Sequence, residues 1–147
     1  MMQRIAKITA LLAVVVPLFT GCAVNRATAT LDPSADLGAI KSMHVVQIPE
    51  SDGIVSGLIV DKLRSKGYTV TTSTEETTQT DAVVTYLDKW MWDITMYMLE
   101  LTITIRDPKT DYPLASGNSF HTSLTRKSAA EMVDEVVENI LKQKQDK

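Results

Sequence analysis

The residues able to do chemistry in this 147-residue chain are few and scattered. Histidine occurs only at His44 and His121, and cysteine only at Cys22. Neither histidine stands at the spacing of a HExxH-type site or near a cysteine, so the pattern points to no metal and no cofactor. His44 reads as a strand residue and His121 as a residue of an exposed edge. Serine and threonine are abundant, but none has a recognisable base beside it, and GxSxG, P-loop and GxGxxG signatures are missing. A triad assembled only in space stays open. Asp88 is a carboxylate expected on an otherwise apolar strand face. With no second acid or nucleophile accompanying it, the expectation is a group paired or solvated at the sheet margin. No catalytic residue is assigned, and the chain is not expected to be an enzyme.

Cys22 has a different context. It closes "MMQRIAKITALLAVVVPLFTGC", in which Arg4 and Lys7 precede an apolar run from Ile8 to Phe19. That run is shorter than the ~20 residues a membrane-spanning helix needs, and the order of parts is that of an export signal. "LFTGC" resembles the lipobox of bacterial lipoproteins, with Phe19 standing where Leu is usual. The resemblance implies cleavage before Cys22, a diacylglycerol on its sulfur and a further acyl chain such as palmitate on the new amino group. Several acyl chains hold a protein on a membrane without spanning it. By similarity to Gram-negative lipoproteins, Ala23 in place of aspartate implies the outer membrane, facing the periplasm. Loss of residues 1–21 removes Arg4 and Lys7 and no acid, leaving 13 Lys+Arg against 18 Asp+Glu. An acidic mature chain offers no electrostatic footprint for nucleic acid.

The elements that must position any site follow from periodicity. Residues 22–41, small, polar and punctuated by Pro33 and Gly38, read as a lipidated tether that lets the domain stand off the membrane. A single domain is expected over 42–147. "SMHVVQIP" predicts a strand. Ser51 or Asp52 then caps a helix whose stripe is Ile54, Val55, Leu58, Ile59 and Leu63, ended by Gly67. "YTV" predicts a strand parallel to the first. Thr71 to Thr80 is a solvated polar connection. Three strands follow over 81–92, 96–106 and 112–122, the last weakened by "ASGNS", which suggests a bulge or edge. Ser128 with Glu131 makes a capping box, opening a helix that buries Met132, Val133, Val136, Val137, Ile140 and Leu141. The fold class is therefore α/β of α+β-like kind, in the order β-α-β-β-β-β-α. It is a mixed sheet of about five strands with two helices on one face.

This order, with "LIVDKLRSKGYTV", "DAVVTYLDKW" and "IRDPKTDYPLASG", resembles a group of small envelope lipoproteins of Gram-negative bacteria. It is also similar to domains of penicillin-binding-protein activator lipoproteins, the curli secretion lipoprotein and the N-terminal domain of the Tol propeller protein. The resemblance implies protein docking in the envelope, by contact with another envelope protein or by self-association. It implies no enzyme. A carrier of a lipid or other apolar ligand between sheet and helices is the alternative, and a hydrolase built around Asp88 or His121 is a third.

The stretch "DKWMWDITMYMLE" at 88–100 holds both tryptophans. Pairing Trp92 with Met96 would set Asp88 across from Glu100, a like-charge pair, and ask Thr95 for a left-handed backbone. Pairing Trp92 with Tyr97 sets Lys89 across from Glu100 and is the preferred register. It turns Trp90 and Trp92 inward under the helices, and leaves Met91, Met98, Lys89 and Glu100 on the outer face as the partner-contact surface.

Overall fold

The computed structural model describes residues 25–143. The export segment 1–21 and Cys22 lie outside the described residues. Six strands form one mixed sheet: β1 (Asn25–Leu31), β2 (Ser42–Val46), β3 (Thr69–Ser73), β4 (Ala82–Asp93), β5 (Thr95–Arg106) and β6 (Pro113–His121). Their spatial order is β1-β6-β5-β4-β2-β3, with β2 parallel to β3 and β4 and the remaining pairs antiparallel. Two helices, α1 (Ile54–Ser65) and α2 (Ala129–Lys142), supply the second layer.

The sheet thus has one strand more than expected, because much of the foreseen tether is folded. Residues 25–31 pair with β6 from His121 to Ala115, and Leu37 and Ile40, in the segment that follows, are buried in the core. The misreading has a local cause. In "NRATATL" the alternation of Ala27, Ala29 and Leu31 with Thr28 and Thr30 is carried mostly by small alanines and so is weak, and β6 supplies the backbone partners that hold the strand.

α2 forms as its sequence dictates. The Ser128 hydroxyl accepts from the Glu131 amide while the Glu131 carboxylate accepts from the Ser128 amide, and Met132, Val133, Val136, Val137 and Ile140 are buried. α1 departs from expectation at its start. Gly53, at φ 76°, is its N-cap, and Asp52 accepts the Ile54 amide from just outside. The buried stripe is Val55, Ile59, Val60 and Leu63, leaving Ile54 exposed. Gly67 ends the helix at φ 91°, as predicted.

β6 is an interior strand, flanked by β5 and β1. Gly117 is neither an edge nor a bulge: a Cβ there would lie 2.8 Å from Val136 Cγ1 and 2.9 Å from Ile140 Cγ1. Glycine at this position is what lets α2 close on the sheet. The irregularity falls beside it, between Ile105 and Arg106 of β5. The core between sheet and helices gathers Met43, Val45, Val84, Leu101, Ile103 and Ile105 with the buried faces of α1 and α2. Each such side chain contributes on the order of 1.5–3 kcal/mol by leaving water.

Candidate contact site

β4 and β5 are each 12 residues long, more than twice the five residues of β2. β2 pairs with β4 only from Ala82 to Val84, and β6 reaches β5 only as far as Glu100. The distal half of the β4–β5 hairpin therefore projects past its neighbours.

Both registers weighed from the sequence occur in this hairpin, one on each side of a bulge. From Val83↔Arg106 to Lys89↔Glu100 the pairing is the preferred one, and the Lys89 ammonium meets the Glu100 carboxylate at 2.8 Å. The register then shifts, and Trp90↔Met98 and Trp92↔Met96 are opposite each other. Leu99 is the extra residue. It separates the Lys89–Glu100 pair from the tip, so neither Asp88 nor Lys89 faces a like charge.

The bulge reverses the facing of β5, which corrects the predicted contact surface. Met98 turns to the helix side and is buried, while Tyr97, across from Met91, is itself buried beneath the Arg126 guanidinium. Of the four predicted residues, Met91 and Lys89 are exposed, Glu100 is half-buried and Met98 is not at the surface.

Trp90 and Trp92 do lie on the helix side, in line with Val84, Tyr86 and Asp88. They are nevertheless exposed, at 45% and 69%, because the hairpin has run beyond the cover of the helices. The Trp90 indole N–H donates to Asp88 Oδ2 at 2.7 Å, which accounts for that carboxylate. Both rings thus stand in the open rather than between sheet and helices. Clefts of about 470, 290 and 210 Å³ are lined respectively by residues around Asp81 and Asp107, around Leu31 and Leu114, and around Ile48 and Tyr86, away from Trp90.

Ile94 forms the turn. It is 85% exposed and sits at φ 63°, a left-handed conformation that a β-branched residue adopts only under strain. Arg126 holds it there. Its guanidinium donates to Asp93 O at 2.8 Å and Thr95 Oγ1 at 2.7 Å, on either side of the turn, and lies 4.6 Å from the centroid of the Tyr97 ring. Arg126 follows a 3₁₀ turn, Ser123–Thr125, whose Leu124 is 84% exposed. Trp90, Trp92, Ile94, Met96 and Leu124 are thus large apolar groups in water. Neither Arg126 nor Leu124 was legible as part of a site, since both lie about 30 residues from the hairpin's turn in sequence.

The other chemical candidates are tied into the fold by hydrogen bonds. His121, expected on an edge, is fully buried, because β1 covers β6. Its Nε2 lies 2.8 Å from Glu135 Oε2, which also accepts from Ser119 Oγ at 2.6 Å, while Lys127 Nζ donates to Oε1 at 2.6 Å. Burial pushes the Glu135 carboxyl up, but the hydrogen bonds from Lys127, Ser119 and His121 outweigh it and hold its pKa at about 2. Ser119 Oγ and His121 Nε2 thus meet the same carboxylate oxygen, and both residues are fully buried. The cluster ties α2 to β6. His44, on the outer face, bonds Thr71 Oγ1 and the Glu75 carbonyl, each at 2.8 Å, and so pins the polar loop that follows β3. Among the described residues no cluster of His, Cys, Asp and Glu suits a metal ion, and no helix is long and apolar enough to cross a membrane.

No protein-family model matches the chain, and no curated protein matches it. Solved structures do. PelC from Paraburkholderia phytofirmans, crystallised as a dodecamer, superposes with a TM-score of 0.58 at 14% identity, over 80% of this chain and 97% of that one. A second crystal form of the same protein gives 0.56 at 12% identity, over 83% and 98%. A PDZ domain protein from Parabacteroides distasonis gives 0.53 at 13% identity over 81% of this chain, which spans 36% of that longer protein. The likeness is one of fold: an α/β chain with a mixed sheet and two helices on one face.

Proposed function

We propose that this chain is a lipid-anchored accessory module of the Gram-negative cell envelope, held through Cys22 on the periplasmic face of the outer membrane. It works by contact rather than by catalysis. The observation that carries the contact reading is the sheet face opposite the helices. Apart from the loop pinned by His44, its central rows lie open: Thr30, Ser116, Thr104 and Thr85, then Thr28, Asn118, Thr102 and Leu87. Leu87 and Met91 stand exposed on this face beside the Lys89–Glu100 pair.

A second copy of the chain is the occupant with most support, since the PelC fold, similar in nearly its whole length, is built into a dodecamer. Lipid anchoring favours such assembly by confining copies to a surface and raising their effective concentration. The test is photocrosslinking in intact cells from Leu87 and Met91 of the full chain. Crosslinks between copies, or to one defined envelope protein, are expected. A chain that stays monomeric and captures nothing from either position would remove this reading.

A further inference from the structure

The apolar tip of the β4–β5 hairpin has an occupant that the topology picks out. β1 begins at Asn25, paired with His121, and His121 is one residue beyond Phe120, which pairs with Glu100. The start of β1 is therefore at the end of the sheet from which the hairpin projects. Only Ala23 and Val24 separate Asn25 from Cys22. Three residues of chain span at most ~11 Å. From the row of Asn25, one residue beyond Glu100, the hairpin runs four to five residues further to Ile94, roughly 13–16 Å at ~3.3 Å per residue. The hairpin thus projects beyond the row of Asn25 by more than the anchor segment can reach.

We propose that Trp90, Trp92, Ile94, Met96 and Leu124 insert into the interface of the same bilayer that holds the acyl chains of Cys22. This rests on the anchoring of Cys22 in the reading above. A projection past Asn25 longer than the extended anchor segment suits insertion into the headgroup and upper acyl region, where ~5–10 Å of burial is usual. The composition agrees, since tryptophan is at home in that layer. Ile94 also gains a reason. A large apolar residue in a left-handed turn, exposed and strained, makes sense where the turn enters lipid. Charge takes little part: Asp93 is paired with Arg126, Lys89 with Glu100, and Asp88 accepts from Trp90. Binding should therefore be indifferent to anionic lipid.

The chain carries its own probes, because Trp90 and Trp92 are its only tryptophans. The full protein, purified from membranes, is placed in phosphatidylethanolamine–phosphatidylglycerol vesicles with brominated acyl chains, and its mass is measured for acylation of Cys22. Expected are an acylated chain and blue-shifted emission, quenched by the brominated lipid but little by aqueous iodide, at any phosphatidylglycerol fraction. An acylated chain whose emission is quenched by iodide and not by bromine overturns the insertion and leaves the anchor standing. Emission shielded from both quenchers also overturns it, with a second copy or another protein as the cover. A chain without acyl groups removes the anchor, and the insertion with it.

Discussion

The two halves of the β4–β5 hairpin share one strand pair and one alternation, yet they have opposite fates. At the base, Val84, Tyr86, Leu101 and Ile103 face the helices and are buried. At the tip, Trp90 and Trp92 face the same way and stand in water. Alternation chooses a side of the sheet, and burial requires that something lie on that side. A helix layer that stops short divides one amphipathic ribbon into a core and a contact surface.

The comparison can be broken by substitution and urea denaturation of the full chain. The largest effect belongs to the base: Leu101→Ala should cost ~2–5 kcal/mol, the usual result of a cavity in a close-packed core. Gly117→Ala, which thrusts a methyl group onto Val136 and Ile140, should cost ~1–3 kcal/mol through overpacking. At the tip the sign reverses. Ile94→Gly should stabilise the isolated protein by ~1 kcal/mol, because glycine relieves the left-handed strain. Trp92→Ser should fall within ~0.5 kcal/mol of the parent in the same measurement. If Trp92→Ser instead cost as much as Leu101→Ala, the tip would be core and the division would fail.

Acid sharpens the tie that keeps α2 over the base. Folding lowers the Glu135 pKa from 4.5 to about 2, so its contribution is present in full above 4.5 and is lost as pH falls toward 2. Glu131 and Glu138, held low by Ser128 and by Lys66 with Lys62, add to the same acid-side loss. Glu135→Gln should therefore be less stable than the parent at neutral pH, with the gap closing in that window. A gap independent of pH would show that the carboxylate charge is immaterial.

Much of the fold was legible because its causes are local. The capping box of Ser128 and Glu131 and the stripe from Met132 to Ile140 announce α2 within one stretch of chain. The pairing of Lys89 with Glu100 was legible too, from charge pairing and turn chemistry. The contact surface was legible only in part: Met91 is exposed, but Met98 is buried, and the tryptophans point to the foreseen side without reaching cover. The reasoning treated the two registers as rivals, whereas Leu99 allows each to hold where its pairs are favourable. Nothing in the sequence near Leu99 signals a bulge, and nothing near Trp92 signals Arg126 or the end of the helix layer.

By itself, then, the sequence determined the two helices, five of the six strands in their order, and the facing of the apolar residues up to the bulge, since these depend on periods of two and 3.6 and on caps within a few residues. Only the tertiary structure decided that residues 25–31 join the sheet, that β5 changes register at Leu99 and that the tip outruns its cover. Those outcomes depend on how far one element extends past another that is distant in the chain, a length comparison that no local pattern encodes.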